Sequence, residues 1–291
     1  MIKPLKTILT LSVASLLFVG CSDSGSSSPA AQFDSTALET VLTSQEDKAK
    51  ARYKYRNPHD TLEFFGITPG MSVAEALPGG GWYSKILIPY LGKDGHLLGV
   101  DYAMKMWSEF SFATPEFIET KANWPEEWTA NAREWVEGGA PVSAITFSGD
   151  GAPKAELDAI LFIRALHNFN RFESEGGYMT DAVSLAHDML KSGGIVGIVQ
   201  HRAPESASDD WANGSKGYLK QSHVIRIFET AGFELVNTSE INANPKDVPG
   251  KDDVVWRLPP SLSGARDDEA LKAEREAIGE SDRMTLKFRK P

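Results

Sequence analysis

Met71-Ser-Val-Ala-Glu-Ala-Leu77 runs directly into Pro78-Gly79-Gly80-Gly81, and Tyr83, Ile86, Leu87, Tyr90 and Leu91 follow at helical spacing. The first run has the length and apolarity of a buried strand, and the stripe after it has the period of an amphipathic helix. Pro89 inside that stripe predicts a kink or an early end, because proline has no N–H to donate. A glycine-rich turn from strand to helix lets backbone approach a ligand closely and turns free helix N–H groups toward it. Gly79, Gly80 and Gly81 are therefore the first candidate binding residues.

The same alternation continues outward. Before the glycine turn, a helix is expected from Ser35, as N-cap, through Arg56, ending at Asn57-Pro58. After it come strands at His96–Val100, Val142–Phe147, Leu157–Ile163, Ile195–Val199, Phe233–Thr238 and Met284–Phe288. Residues 102–140 hold four of the seven Trp and are expected to be helical. A stripe of Tyr178, Ala182, Leu185, Ala186, Met189 and Leu190 marks another helix, with Gly193-Gly194 as its stop. Val224, Ile227, Phe228 and Ala231 mark one more. Strands that read as solid apolar runs between helices imply an α/β fold with a mainly parallel sheet covered on both faces. The last two strands predict an antiparallel pair, and the long segment 242–283 between them predicts an ordered cap over the strand ends. Trp256 and Leu258 in that segment suit a packed structure.

Two acids follow the glycine turn at strand ends. Asp101 closes the second strand, twenty residues after Gly81, where a carboxylate can accept from both hydroxyls of a ribose. Asp150, beyond the third strand, is a candidate acceptor for an adenine amino group. Three successive strand ends thus point to a nucleoside-type ligand.

Composition narrows the classes. The chain has 291 residues, 41% hydrophobic and 24% charged, with 40 acidic against 30 basic residues. A net charge of −10 without any Lys/Arg run gives no electrostatic reason to hold nucleic acid. One cysteine rules out an intrachain disulfide and a cysteine-based zinc site. No His-x-x-x-His or clustered acidic ligand pattern is read, so no metal is expected.

That cysteine stands at the end of a signal-like segment. Lys3 and Lys6 precede the apolar run Ile8–Val19, which is too short to span a bilayer. Phe18-Val19-Gly20-Cys21 resembles a lipobox, with a small residue before the cut and a thiol to carry lipid. The expected organisation is a signal peptide over 1–20, a lipidated Cys21 and tether over 21–33, and one domain over 34–291. Cleavage would remove Lys3 and Lys6 and no acid, leaving 28 basic against 40 acidic residues and a net charge of −12. Ser22 directly after the cysteine resembles lipoproteins sorted to an outer membrane, so the expected location is a bacterial envelope, with the lipid on Cys21 as the membrane contact.

Longer motifs carry a family resemblance. Glu75-Ala-Leu-Pro-Gly-Gly-Gly-Trp-Tyr-Ser84, Arg164-Ala-Leu-His-Asn168, Gly193-Gly194-Ile-Val-Gly-Ile-Val-Gln-His-Arg-Ala-Pro204, Glu240-Ile-Asn-Ala-Asn-Pro-Lys-Asp247 and Ile278-Gly-Glu-Ser-Asp-Arg-Met-Thr-Leu-Lys-Phe288 resemble exported or lipid-anchored methyltransferases of class I. Ala231-Gly-Phe-Glu-Leu-Val236 is similar to a phrase of class I methyltransferases more broadly. The resemblance implies a seven-stranded, Rossmann-like sheet with an antiparallel last strand, S-adenosylmethionine as cofactor, and Glu75 as the acidic residue of the glycine motif. It also places Leu77 where that motif has its first glycine. Arg164, His167 and Asn168 then follow strand four, and His201 and Arg202 follow strand five, beside the implied methyl donor. His201 or His167 is the expected proton acceptor, and Arg202 or Arg164 the expected anchor for a small anionic substrate. The alternative is a non-catalytic ligand-binding lipoprotein on the same fold. A nicotinamide oxidoreductase fits the reversed last strand less well.

Overall fold

The computed structural model describes residues 32–291, together with Met1. The expected signal peptide beyond Met1, Cys21 and nearly all of the expected tether lie outside the described residues. Phe33, read as the end of the tether, already packs edge-on against His59, with ring centroids 5.6 Å apart.

One sheet holds eight strands, in the order β3-β2-β1-β4-β5-β8-β7 with β6 beside β5. β1 is Ser72–Ala76, β2 His96–Asp101, β3 Val142–Thr146, β4 Leu157–Ile163 and β5 Leu190–Ala203. β6 is Leu219–Lys220, β7 Glu234–Ser239 and β8 Arg283–Arg289. Strands β1 to β6 pair in parallel, and β8 runs antiparallel to both β5 and β7. This is the mostly parallel α/β sheet expected, with eight strands in place of seven. The additional strand, β6, pairs Leu219 and Lys220 with Arg202 and Ala203. Two residues are too few to show either an alternation or an apolar run, so β6 leaves no trace in sequence.

Both faces are covered, which explains the solid apolar strands. Val73, Leu97, Ala159 and Leu161 pack on one face, and Ala74, Leu98, Ile160 and Phe162 on the other. Strand order reverses between β1 and β4, and such a switch point opens a crevice at the carboxyl ends of the strands.

Several local expectations need correction. The helix expected over 35–56 is three pieces, Ser35–Ser44, Asp47–Lys50 and Tyr53–Arg56. Its cap is Asp34, whose carboxylate accepts from the Ala37 N–H at 2.9 Å. Asn57, in left-handed conformation at φ 38, ends the last piece, and Pro58 opens a further helix, Pro58–Phe65, as its first residue. Gly193-Gly194 does not stop the helix Tyr178–Met189: Leu190 does, by turning extended, and both glycines lie inside β5 where its register on β4 shifts. The segment between β7 and β8, read as an irregular cap, includes a helix, Glu269–Ile278. Pro89 stays inside the helix Ser84–Leu91. The Lys85 carbonyl that proline cannot serve accepts instead from the Gln45 side-chain amide at 3.1 Å. Residues 102–140 are helical as read, with turns at Met104–Glu109, Pro115–Lys121 and Trp124–Trp135. Among the described residues no helix is long and apolar enough to cross a membrane.

Candidate functional site

The carboxyl ends of β1, β2, β4 and β5 open onto a cavity of about 770 Å³. Leu77, Pro78, Gly79 and Gly80 reach it from β1, and Asp101 and Tyr102 from β2. Arg164, His167 and Asn168 reach it from the end of β4, and His201 from β5. Of the residues singled out in sequence, the structure brings Gly79, Gly80, Asp101, His167 and His201 together, along with Arg164 and Asn168.

The others stand apart, each for a visible reason. Glu75 is buried within β1, where its carboxylate accepts from Ser84 Oγ at 2.6 Å. Burial pushes its carboxyl up to about 8, against the pull of Ser84 and Arg164, so it is largely neutral near pH 7. Gly81 faces Trp135: a Cβ there would sit 2.3 Å from the indole, at φ +75, so this glycine serves packing and the turn. Asp150 is exposed on the turn after β3, outside the cavity lining. Arg202 is held by two carboxylates. Its Nε and Nη2 donate to Asp282 at 2.8 and 3.1 Å, and Nη1 and Nη2 to Glu240 at 2.8 and 2.7 Å.

Leu77 takes the left-handed backbone of a glycine, at φ +53, while its N–H bonds the Val100 carbonyl at 2.8 Å. A branched side chain there is strained, which marks the turn as over-determined by its surroundings. The side chain borders the cavity.

Asp101 is buried, and burial raises its carboxyl to about 6, eased by the Tyr102 N–H and by Lys121. It is thus mostly ionised at pH 7 and has lone pairs free for a ligand. The two histidines stand with ring centroids 5.3 Å apart. Gln200 sets the tautomer of one. Its amide nitrogen donates to the Gly217 carbonyl at 2.9 Å, so its oxygen faces His167 Nδ1 at 3.3 Å and accepts from it. The free, basic nitrogen of His167 is then Nε2. His201 Nδ1 contacts Ser281 Oγ at 2.6 Å. Burial lowers His167 to about 4 and, with His167 and Arg164 nearby, holds His201 well below the usual imidazole range. Both rings are neutral at pH 7.

The cap is where the sequence put it. Asp247 accepts from Arg257 Nη2 at 2.8 Å, from Tyr218 OH at 3.1 Å and from the Asp282 N–H at 3.0 Å, tying the segment to β8. Gly217 lets it close, since a Cβ there, at φ +90, would meet Val255 at 2.2 Å. Trp256 and Pro260 thereby border the cavity.

Sequence reading missed Arg56, Trp82, Tyr102, Trp107, Lys121 and Trp124, all of which border the same space. For Trp107 and Trp124 the density of Trp in 102–140 was a signal. For Arg56 there was none, because it read only as the last residue of one unbroken helix.

No family model matches the chain, and no curated protein matches it. Solved structures similar to it include the [4+2]-cyclase SpnF, at 14% identity and TM-score 0.49, covering 81% of each chain. An S-adenosylmethionine-dependent methyltransferase from Aquifex aeolicus is 16% identical at TM-score 0.45, covering 72% of this chain and 94% of its own. The 1,6-didemethyltoxoflavin-N1-methyltransferase of Burkholderia thailandensis, solved with S-adenosylhomocysteine, is 12% identical at TM-score 0.45, covering 87% and 86%. Likeness at this level says nothing of reaction or substrate.

Proposed function

We propose that the cavity binds S-adenosylmethionine and that the protein transfers its methyl group to a small molecule. One observation carries this: the Asp101 carboxylate, at the end of β2, faces the same cavity as the Gly79-Gly80 backbone at the end of β1. Those two groups suit a ribose and the chain attached to it. No Cβ-sized neighbour crowds Gly80, and Gly79 has only the Leu77 carbonyl near, at 3.9 Å. Tyr102, Trp107 and Trp124 add aromatic faces on which a base can stack. Bound there, S-adenosylmethionine would supply an electrophilic methyl, so this chain's residues chiefly position the acceptor. His167 and His201, neutral at pH 7, are the groups able to take a proton from it. Full turnover in both His167→Ala and His201→Ala would exclude them from that role.

Titration calorimetry with S-adenosylhomocysteine tests the reading. Binding should weaken roughly ten- to a hundredfold in Asp101→Ala, from loss of about 1.5–3 kcal/mol of hydrogen bonding to a charged group. No binding to the parent protein refutes it. The second reading, a binding protein without catalysis, is favoured by Leu77, whose side chain occupies the cavity wall where a glycine would leave room.

We further propose that Cys21 carries lipid and anchors the protein in a bacterial envelope, at an outer membrane. The lipobox-like Phe18-Val19-Gly20-Cys21 and the following Ser22 support this. Labelled palmitate should be incorporated by the parent and not by Cys21→Ser.

A further inference from the structure

Arg164 is a half-buried cation that the proposed function does not yet use. Its Nε is shielded from solvent and has no hydrogen-bond partner among the described residues. Its backbone is left-handed, at φ +59, with the N–H bonded to the Val199 carbonyl, so the side chain starts from a fixed position at the end of β4.

The surroundings do not neutralise it. Glu280 is the ionised acid nearby, and it is already shared. Arg52 donates to Glu280 Oε1 through Nε at 2.8 Å, Arg56 through Nε at 3.1 Å, and Arg283 to Oε2 through Nη1 at 3.3 Å. The second acid, Glu75, is turned to Ser84 and largely neutral. Four guanidinium groups therefore gather about one carboxylate, and two of them, Arg56 and Arg164, border the cavity. Arg56 also lies 4.6 Å over the Trp82 ring, which fixes it without cancelling its charge. A shielded donor without a partner is costly, and a guanidinium fork matches the two oxygens of a carboxylate or a phosphate.

We propose that Arg164, backed by Arg56, forms an oxyanion-binding site in the cavity, and that the small molecule methylated here carries a carboxylate or phosphate group. The site lies at the end of β4 with His167, on the side of the cavity away from Asp101 at the end of β2. Only the word methylated rests on the proposed function; the anion site stands on Arg164 itself.

Four Trp residues border the cavity (Trp82, Trp107, Trp124 and Trp256), so intrinsic fluorescence can report its filling. The full-length protein is titrated with inorganic phosphate and, separately, with malonate, at ionic strength held constant with chloride. A saturable change is expected in the parent and in Arg289→Met, a half-exposed surface control. Affinity should fall at least tenfold in Arg164→Met and be partly kept in Arg164→Lys, with thermal melts confirming that each variant is folded. Equal saturation in Arg164→Met, or no saturable response to either anion in the parent, overturns the site. Calorimetry with S-adenosylhomocysteine then separates the two possible owners of the anion. Unchanged affinity in Arg164→Met assigns the site to the acceptor. A parallel loss assigns it to the cofactor's own carboxylate and overturns the acceptor claim. Anion binding without any S-adenosylhomocysteine binding to the parent refutes the methyltransferase reading and leaves the oxyanion site standing.

Discussion

Two neighbouring strands end in an arginine, and the two ends could hardly differ more. Arg202, closing β5, spends its donors on Asp282 and Glu240 and lies outside the cavity. Arg164, just beyond β4, borders the cavity and leaves its Nε without a partner among the described residues. In sequence both are an arginine beside a histidine-containing motif, and both were candidates for the same task. What separates them is the company supplied from elsewhere: Asp282 is 80 residues from Arg202, and Glu240 is 38. An arginine already matched by two acids is a brace, and one left unmatched at a cavity is a receptor.

The contrast can be pushed hardest at Glu280. Glu280→Gln would leave Arg52, Arg56 and Arg283 in the condition of Arg164, without a counterion. Breaking a buried pair from one side costs about 3–5 kcal/mol, or roughly 10 °C in Tm for a domain of this size. The pH dependence should change with it. Burial alone would raise the Glu280 carboxyl, but Arg283, Arg56, Arg52 and Arg164 pull it below its ordinary 4.5. A folded pKa lower than the unfolded one adds stability above pH 4.5, which disappears as pH falls through the folded value. Melts below that pH should accordingly be steeper in the parent than in Glu280→Gln. Equal acid profiles would mean that Arg52, Arg56 and Arg283 do not hold this acid.

Arg202→Ala should have an intermediate effect. It leaves Asp282 partly buried and unpaired, with a loss of about 1.5–3 kcal/mol and roughly 5 °C in Tm. Its affinity for S-adenosylhomocysteine should stay within twofold of the parent. A large drop in that affinity, with Tm unchanged, would make Arg202 a receptor after all and erase the distinction. The smallest effect belongs to Arg164→Met, where an unpaired charge is removed and nothing is orphaned. Melting should be unchanged or raised, with any loss under about 0.5 kcal/mol. A loss on the scale of Arg202→Ala would show that Arg164 is also a brace.

These differences mark where sequence stops being legible. The strand, the glycine turn and the helix after it could be read because each signal is local: apolar runs, three glycines, a stripe of period 3.6. Asp101, His167 and His201 could be read because a parallel sheet brings its strand ends to one rim, wherever they fall in the chain. The break at Asn57-Pro58 was visible, yet the helix beyond it was not, because Pro58 reads equally as an end and as a first helical residue. Arg56 escaped notice for that reason. The fates of Glu75, Asp150 and Arg202 depended on contacts with Ser84, on exposure after β3, and on acids at 240 and 282, none of which a local pattern encodes.

The start of the fold fixes the rim on which the chain enters the domain. The Asp34 N–H bonds the Tyr90 hydroxyl at 3.3 Å, near the end of the helix Ser84–Leu91 that descends from the glycine turn. The Leu91 carbonyl accepts from Gly70, just ahead of β1, so this helix end lies at the rim where the parallel strands begin. The polypeptide therefore joins the domain on the rim opposite the cavity. Eleven residues separate Cys21 from Phe33, a reach of at most about 40 Å. Were lipid attached at Cys21, the tether would meet the domain at the floor of the sheet and leave the cavity mouth unobstructed by its own chain.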